Sequence, residues 1–339
     1  MNKCLPPVSM IWIILIGVLS LSGCLNQAAT SNGMSLDSKS DTSSASVADP
    51  PITPSGPTAQ VDEDTQMNAS VGKDDAVEDV GSSAQATAPA LTAGEWMELP
   101  VIPEVSASAL EIYAEGIRKG NDPHAFSKVG DCQNVPSMFV SIFDYPGFYT
   151  LGEEYEYLSE TIEWYQGSFK HESHAVRRGF NAASVVSPVW ADPEFCDVGE
   201  DPLQCEIRIH NPSVAIISLE TWWAGNPENY EKYVRQIIET LISDGVLPIL
   251  ATKADNLEGD HRINGILARL ANEYQIPLWN FWLAVQALPD HGLMEDGFHL
   301  TFAPNDFDDP QVMKAAWPWR NLTALQVLYA VREAIQNAN

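Results

Sequence analysis

Hydrophobic and polar positions divide the chain into three stretches. Near the start, Lys3 precedes an apolar run, Ile11 to Leu21, broken only by Ser20. That run is short for a bilayer-spanning helix and fits a signal segment better. From Leu25 to about Thr92 neither helical nor strand periodicity is present. From about residue 93 onward the periodicity becomes regular. It predicts helices over Ala107 to Arg118, Tyr155 to Tyr165, Ala175 to Val186, Pro227 to Ser243, Gly259 to Tyr274 and Leu322 to Ala338. Between them lie short apolar runs that predict strands: Ala125 to Val129, Val214 to Leu219, Leu247 to Ala251 and Pro277 to Trp282. Continuous apolar strands alternating with amphipathic helices indicate βαβ units, an α/β fold around a parallel sheet. In such folds chemistry collects on loops at the carboxyl ends of the strands. Here those are the loops after Val129, after Leu219 and around Asp296.

Composition separates the stretches further. Ser, Thr, Ala, Asp, Gly and Pro dominate from Leu25 to Thr92, and no aromatic residue occurs there. Such a segment cannot bury enough apolar surface to offset its ordering entropy, so it is expected to be a disordered tether. The expected organisation is a signal peptide over residues 1–23, a tether over 24–92 and one globular domain over 93–339. The formal net charge is −28, with only 18 Lys and Arg in 339 residues. Neutralising phosphates requires clustered basic residues, so a nucleic-acid partner is excluded from the expectations.

Cysteine positions give the export reading its detail. Leu21-Ser22-Gly23-Cys24 resembles the bacterial lipobox. The resemblance implies cleavage before Cys24, acylation of its thiol and membrane attachment through the lipid, with the domain on the extracytoplasmic side. Leu25, rather than aspartate, follows the cysteine, which argues against inner-membrane retention where the usual Gram-negative sorting rule applies. Cys196 and Cys205 bracket a polar segment containing Gly and Pro, and a local disulfide is the expected pairing in an oxidising compartment. Cys132 is left as the odd thiol.

Three short motifs then fall on the predicted loops. Gly130-Asp131-Cys132 follows the first strand. Gly179 lies in Arg178-Gly179-Phe180-Asn181, and Asp296-Gly297-Phe298-His299 precedes the last helix. In this order the chain resembles the SGNH (GDSL-type) hydrolases from about Ala125 to Ile335. The resemblance implies a three-layer α/β/α sandwich, a nucleophile at position 132, an oxyanion-hole glycine at Gly179, a general base in His299 and its orienting carboxylate in Asp296. Two departures stand out. Cys132 replaces the family's serine, and Glu220-Thr221-Trp222-Trp223 replaces the Gly-x-Asn-Asp block whose asparagine completes the oxyanion hole. Asn226 lies close enough in sequence to substitute. A missing oxyanion donor costs about two to three orders of magnitude in turnover.

Two functional readings follow. One is an ester hydrolase or deacylase acting on carbohydrate or other envelope esters, with a Cys/His/Asp site. The other is the same fold retained as an inactive lipoprotein that binds carbohydrate or a partner. Trp222 and Trp223 could supply an aromatic platform for a sugar ring in either case. His171 and His174 have the i, i+3 spacing of a helical metal pair, yet nothing in the sequence completes a recognisable site, so no metal is expected. No Gly-rich phosphate loop or dinucleotide fingerprint occurs, and no cofactor is expected.

Overall fold

The computed structural model describes Leu91 and residues 94–219 and 226–338. The expected signal, the acylated Cys24 and the tether, Leu91 apart, lie outside the described residues, as do Trp222 and Trp223.

The chain enters through α1 (Ala107–Lys119) and β1 (Asp122–Gly130), followed by a short strand β2 (Tyr149–Thr150) and the small helices α2 (Gly152–Tyr155), α3 (Ser159–Trp164) and α4 (Ala182–Val185). Next come α5 (Pro202–His210), β3 (Pro212–Ser218), α6 (Pro227–Ser243), β4 (Leu247–Ala251), α7 (Arg262–Tyr274), β5 (Leu278–Trp279) and α8 (Phe281–Val285). A two-residue strand β6 (Asn305–Asp306) pairs with β2, and α9 (Ala316–Ala338) closes the domain. The central sheet has the order β1-β3-β4-β5, and every pairing in it is parallel. Helices α1 and α3 pack on α9, with α1 lying on β3 and β4. Helices α4 to α7 pack against one another and against β1 and β4. The sheet therefore sits between two helical layers, and the fold is α/β. Among the described residues no helix is long and apolar enough to cross a membrane.

Burial explains why the strands were legible. Every residue of β3 and of β4 is buried, as expected of parallel strands covered on both faces. Helix α1 starts where Ser106 Oγ accepts from Ala109 N (3.0 Å) and stops at Gly120, whose φ of 98° suits glycine.

Five expectations need correction. The helix expected over Ala175 to Val186 is reduced to α4. The backbone before it is taken by a parallel bridge between Gly130 and Val176, and Gly179 (φ 85°) followed by the extended cap Asn181 prevents a continuous helix. The helix expected over Tyr155 to Tyr165 is divided into α2, a 3-10 turn over Glu156–Leu158, and α3, because Tyr155 leaves helical geometry (φ −111°, ψ 8°). The polar loop between Cys196 and Cys205 is helical at its end. Asp201 accepts from Gln204 N (2.8 Å), Gln204 Oε1 accepts from Asp201 N (3.1 Å) and Pro202 opens α5, a capping box readable in Asp-Pro-x-Gln. The strand expected over Pro277 to Trp282 ends at Trp279. Asn280 then caps α8 through Leu283 N (3.3 Å) and donates to the Trp96 and Leu99 carbonyls (2.9 and 2.8 Å). The last helix also begins earlier than expected, at Ala316, with Pro318 in its first turn, where a missing N–H costs nothing.

Candidate active site

The register Gly130↔Ser218 brings the ends of β1 and β3 level. Immediately beyond, the chain turns sharply through a 3-10 helix over Cys132–Asn134. Asp131, fully buried, caps this turn by accepting from Gln133 N (3.0 Å). Asn134 Nδ2 donates to the Ser218 carbonyl (2.6 Å), which ties the turn to the end of β3. A Cβ on Gly130 would collide with that amide and with the Ser218 carbonyl, so only glycine permits the crossing. Cys132 is half-buried at the head of the turn and keeps its thiol.

Asp296 and His299 lie on a second tight turn, stapled by Met294 N to His299 O (2.8 Å) and Gly297 N to Met294 O (2.9 Å). Asp296 Oδ1 accepts from the backbone N–H groups of Phe298 (3.0 Å) and His299 (2.9 Å), and Oδ2 lies 2.6 Å from His299 Nδ1. The His299 hydrogen bond, assisted by those two N–H groups, holds the Asp296 carboxyl down at about 2. An ionised carboxylate on Nδ1 requires the proton there, which leaves Nε2 as the acceptor nitrogen. Both side chains are about half exposed (42% and 49%), so solvent reaches them.

One long helix joins the two turns. Thr301 Oγ1 donates to the Gly292 carbonyl (3.0 Å) and accepts from Ala316 N (2.9 Å), and the Thr301 carbonyl accepts from Trp317 N (3.1 Å). The His299 turn is thus bolted to the start of α9. One turn further along, buried Arg320 donates through Nη2 to Ser218 Oγ (2.7 Å), on the residue whose carbonyl holds Asn134. Its guanidinium is surrounded by the rings of Phe139, Phe281, Trp279 and Trp317, with centroids 4.9–5.9 Å away.

Gly179 is exposed, with open space where a Cβ would stand. Its segment is held at the edge of β1 by Gly130 N to Ala175 O (3.1 Å) and Arg177 N to Gly130 O (3.3 Å), so the Gly179 and Cys132 loops leave neighbouring backbone. Asn226, the substitute considered for the missing oxyanion asparagine, is exposed and caps α6 by accepting from Asn229 N (3.1 Å).

No protein-family model matches the chain, and no curated protein matches it. Among solved structures, one assigned to the G-D-S-L family of lipolytic proteins, from Desulfitobacterium hafniense DCB-2, is similar at 16% identity. It covers 60% of this chain and 99% of its own, with a TM-score of 0.36. The family is the one whose motifs the sequence resembles. A likeness at that score says nothing about the site, and the fold class rests on the strand order given above.

Cys196 and Cys205 are joined, as expected, in a disulfide with a Cα–Cα distance of 5.2 Å. A ring nitrogen of His174 lies within 4.8 Å of both sulfurs, which are committed to each other. The two histidines weighed in the sequence as a metal pair are tied into the fold. His171 Nε2 lies 3.0 Å from fully buried Glu206 and its ring stacks on His210 (3.7 Å, 5°), while His174 N donates to Glu206 (2.8 Å). Burial pushes Glu206 up, but the hydrogen bonds from His171, Ser127 and His174 N outweigh it and the net shift is downward. On β1, fully buried Lys128 donates to the carbonyls of Ser168 (3.2 Å) and Phe169 (2.7 Å), and burial lowers its ammonium to about 7. Beyond β4, Lys253 Nζ lies 2.6 Å from both Asp255 and Glu258, all three buried. The sequence signal for Lys128 was a charge inside the mostly apolar run Ala125 to Val129 of β1.

Proposed function

We propose that the protein is an ester hydrolase of SGNH type, tethered to a membrane through Cys24 and acting on carbohydrate or other envelope esters. The observation that carries this reading is the Asp296–His299 hydrogen bond (2.6 Å) on the motif expected to supply base and orienting acid. In the proposed reaction His299 Nε2 takes the Cys132 proton, and the thiolate attacks the ester carbonyl, whose π pair moves to oxygen. The N–H groups of Cys132 and Gly179 receive that oxyanion. Its collapse breaks the C–O bond, and the leaving alkoxide takes the proton from His299. A water deprotonated by the same nitrogen then cleaves the thioester, releasing the acid and restoring the thiol.

One observation favours the binding reading instead: Asn226 Oδ1 accepts from Asn229 N (3.1 Å), which ties that amide to the start of α6 and restricts where its Nδ2 donor can reach. Hydrolysis of an aryl acetate, with pH-resolved alkylation mapped to Cys132, separates the two readings. The hydrolase reading requires turnover that vanishes in Cys132→Ala and His299→Ala, and labelling of Cys132 that slows in His299→Ala. Absence of turnover on every short-chain and sugar-acetate ester, with ordinary thiol reactivity, leaves the binding module.

A further inference from the structure

A pocket of about 640 Å³ opens between the residues that follow the Cys132 turn and the segment that leads into Gly179. That volume lies within the range of small-molecule sites, about 300–1,000 Å³. Its wall mixes charges of both signs. Arg178 and His174 supply donors, and Glu172 and Asp192 supply acceptors. Arg178 is exposed and, among the described residues, makes no hydrogen bond or ion pair. Phe195 closes one side, its ring 5.1 Å from that of His174 and 52% exposed. Trp190, earlier on the same loop and outside the pocket wall, is 49% exposed; its ring packs edge-on to Phe180 (6.3 Å), and its carbonyl accepts from Arg177 Nη1 (3.2 Å).

The loop that carries these rings is braced. Cys196 is joined to Cys205 on α5, Arg208 Nη2 donates to the Phe195 carbonyl (3.0 Å), and Cys196 N donates to Asp192 O (2.8 Å). An exposed aromatic ring on a rigid loop, next to donors and acceptors in one wall, lowers the ordering cost of binding. An acyl chain would leave those charges desolvated and unpaired. A phosphate would meet Glu172 and Asp192. A sugar ring suits the lining: its hydroxyls need donors and acceptors together, and its C–H face packs on an aromatic ring.

We propose that this pocket is a glycan subsite, which takes one pyranose ring against Phe195 with Arg178 hydrogen-bonding its substituents. As the place where the substrate's sugar is held, the subsite rests on the hydrolase reading; as a binding site it does not. The test therefore has a binding arm and a turnover arm. Unacylated neutral and uronic oligosaccharides are titrated into the full protein by calorimetry, and acetylated forms of both are compared with an aryl acetate as substrates. Phe195→Ala and Arg178→Ala should each weaken binding about tenfold, a loss typical of one stacked ring or one charged hydrogen bond. Phe195→Tyr should recover most of the first loss. In turnover, the preference for acetylated oligosaccharide over aryl acetate should fall by a similar factor, through KM. A larger effect of Arg178→Ala on uronic than on neutral sugars assigns the guanidinium to a carboxylate; equal effects assign it to a hydroxyl, and both support the subsite. Binding without any turnover supports the subsite and removes the hydrolase reading. Cys132-dependent turnover of the aryl acetate with no oligosaccharide bound at millimolar concentration overturns the subsite and leaves the hydrolase standing. Binding that is unchanged in both alanine variants, with melting curves showing them folded, overturns it as well.

Discussion

Lys128 offers a quantitative test of how β1 is held, and β1 carries the Cys132 turn. Its ammonium is fully buried, and burial, opposed in part by the nearby Glu206, Asp144 and Glu172 carboxylates, lowers it from 10.5 to about 7. Between pH 7 and 10.5 the unfolded chain binds a proton that the folded chain lacks, so unfolding becomes harder as pH rises through that window. Below pH 7 both states bind the proton and the cost is fully present; above 10.5 neither does and the cost is gone. The difference amounts to roughly 5 kcal/mol as an upper figure. A neutral amine still has two N–H groups for the Ser168 and Phe169 carbonyls, so deprotonation leaves no acceptor unmet. Lys128→Met cannot titrate and strands both carbonyls, a pH-independent loss of about 1–3 kcal/mol each. Urea unfolding of wild type and variant at intervals from pH 6 to 10.5 isolates the effect, because other titrations cancel in the difference. The wild type should gain several kcal/mol on the variant across the window. A difference that stays flat within about 1 kcal/mol would refute the buried, proton-poor ammonium.

Other outcomes test the site and its surroundings. His299→Ala should lower kcat on an aryl acetate by about 10²–10⁴ with little change in melting, since the side chain is half exposed, and combining it with Cys132→Ala should add almost nothing. Cys132→Ser should keep or gain activity if the oxyanion site is intact, and stay nearly silent if the absent asparagine is limiting; inactivity in both wild type and variant counts against the triad. Opening the Cys196–Cys205 disulfide, as the double Ser variant, should cost about 2–3 kcal/mol in urea unfolding, and an unchanged midpoint would show that α5 needs no such brace. Palmitate should label the wild type in cells but not Cys24→Ser; equal labelling of the two removes the lipid anchor.

What the sequence revealed followed from local physics. β3 and β4 are continuous apolar runs, and α6 carries a regular apolar stripe, so Val214, Pro227 to Ser243 and Leu247 to Ala251 were read close to their true limits. The Asp296–His299 contact spans three residues on one turn and was readable for the same reason. Distant pairings were not. The Gly130–Val176 bridge turned an expected helix into an edge segment, and nothing near Val176 announces β1 as its partner. Arg320 lies ahead of the helix expected from Leu322, and its role depends on Ser218, 102 residues earlier. Trp190 and Phe195 were passed over because an exposed ring and a buried one look alike until the loop is placed.

The bolting of the His299 turn to α9 has a consequence for the order of assembly. As the chain leaves the ribosome, every strand of the central sheet emerges before Ala316 and Trp317, whose N–H groups anchor Thr301, and before Arg320, which reaches back to Ser218. A nascent chain can therefore complete its sheet while His299 remains unplaced. On the proposed reading, a partly made chain would hold the Cys132 thiol before α9 docks and fixes the turn of its activating partner.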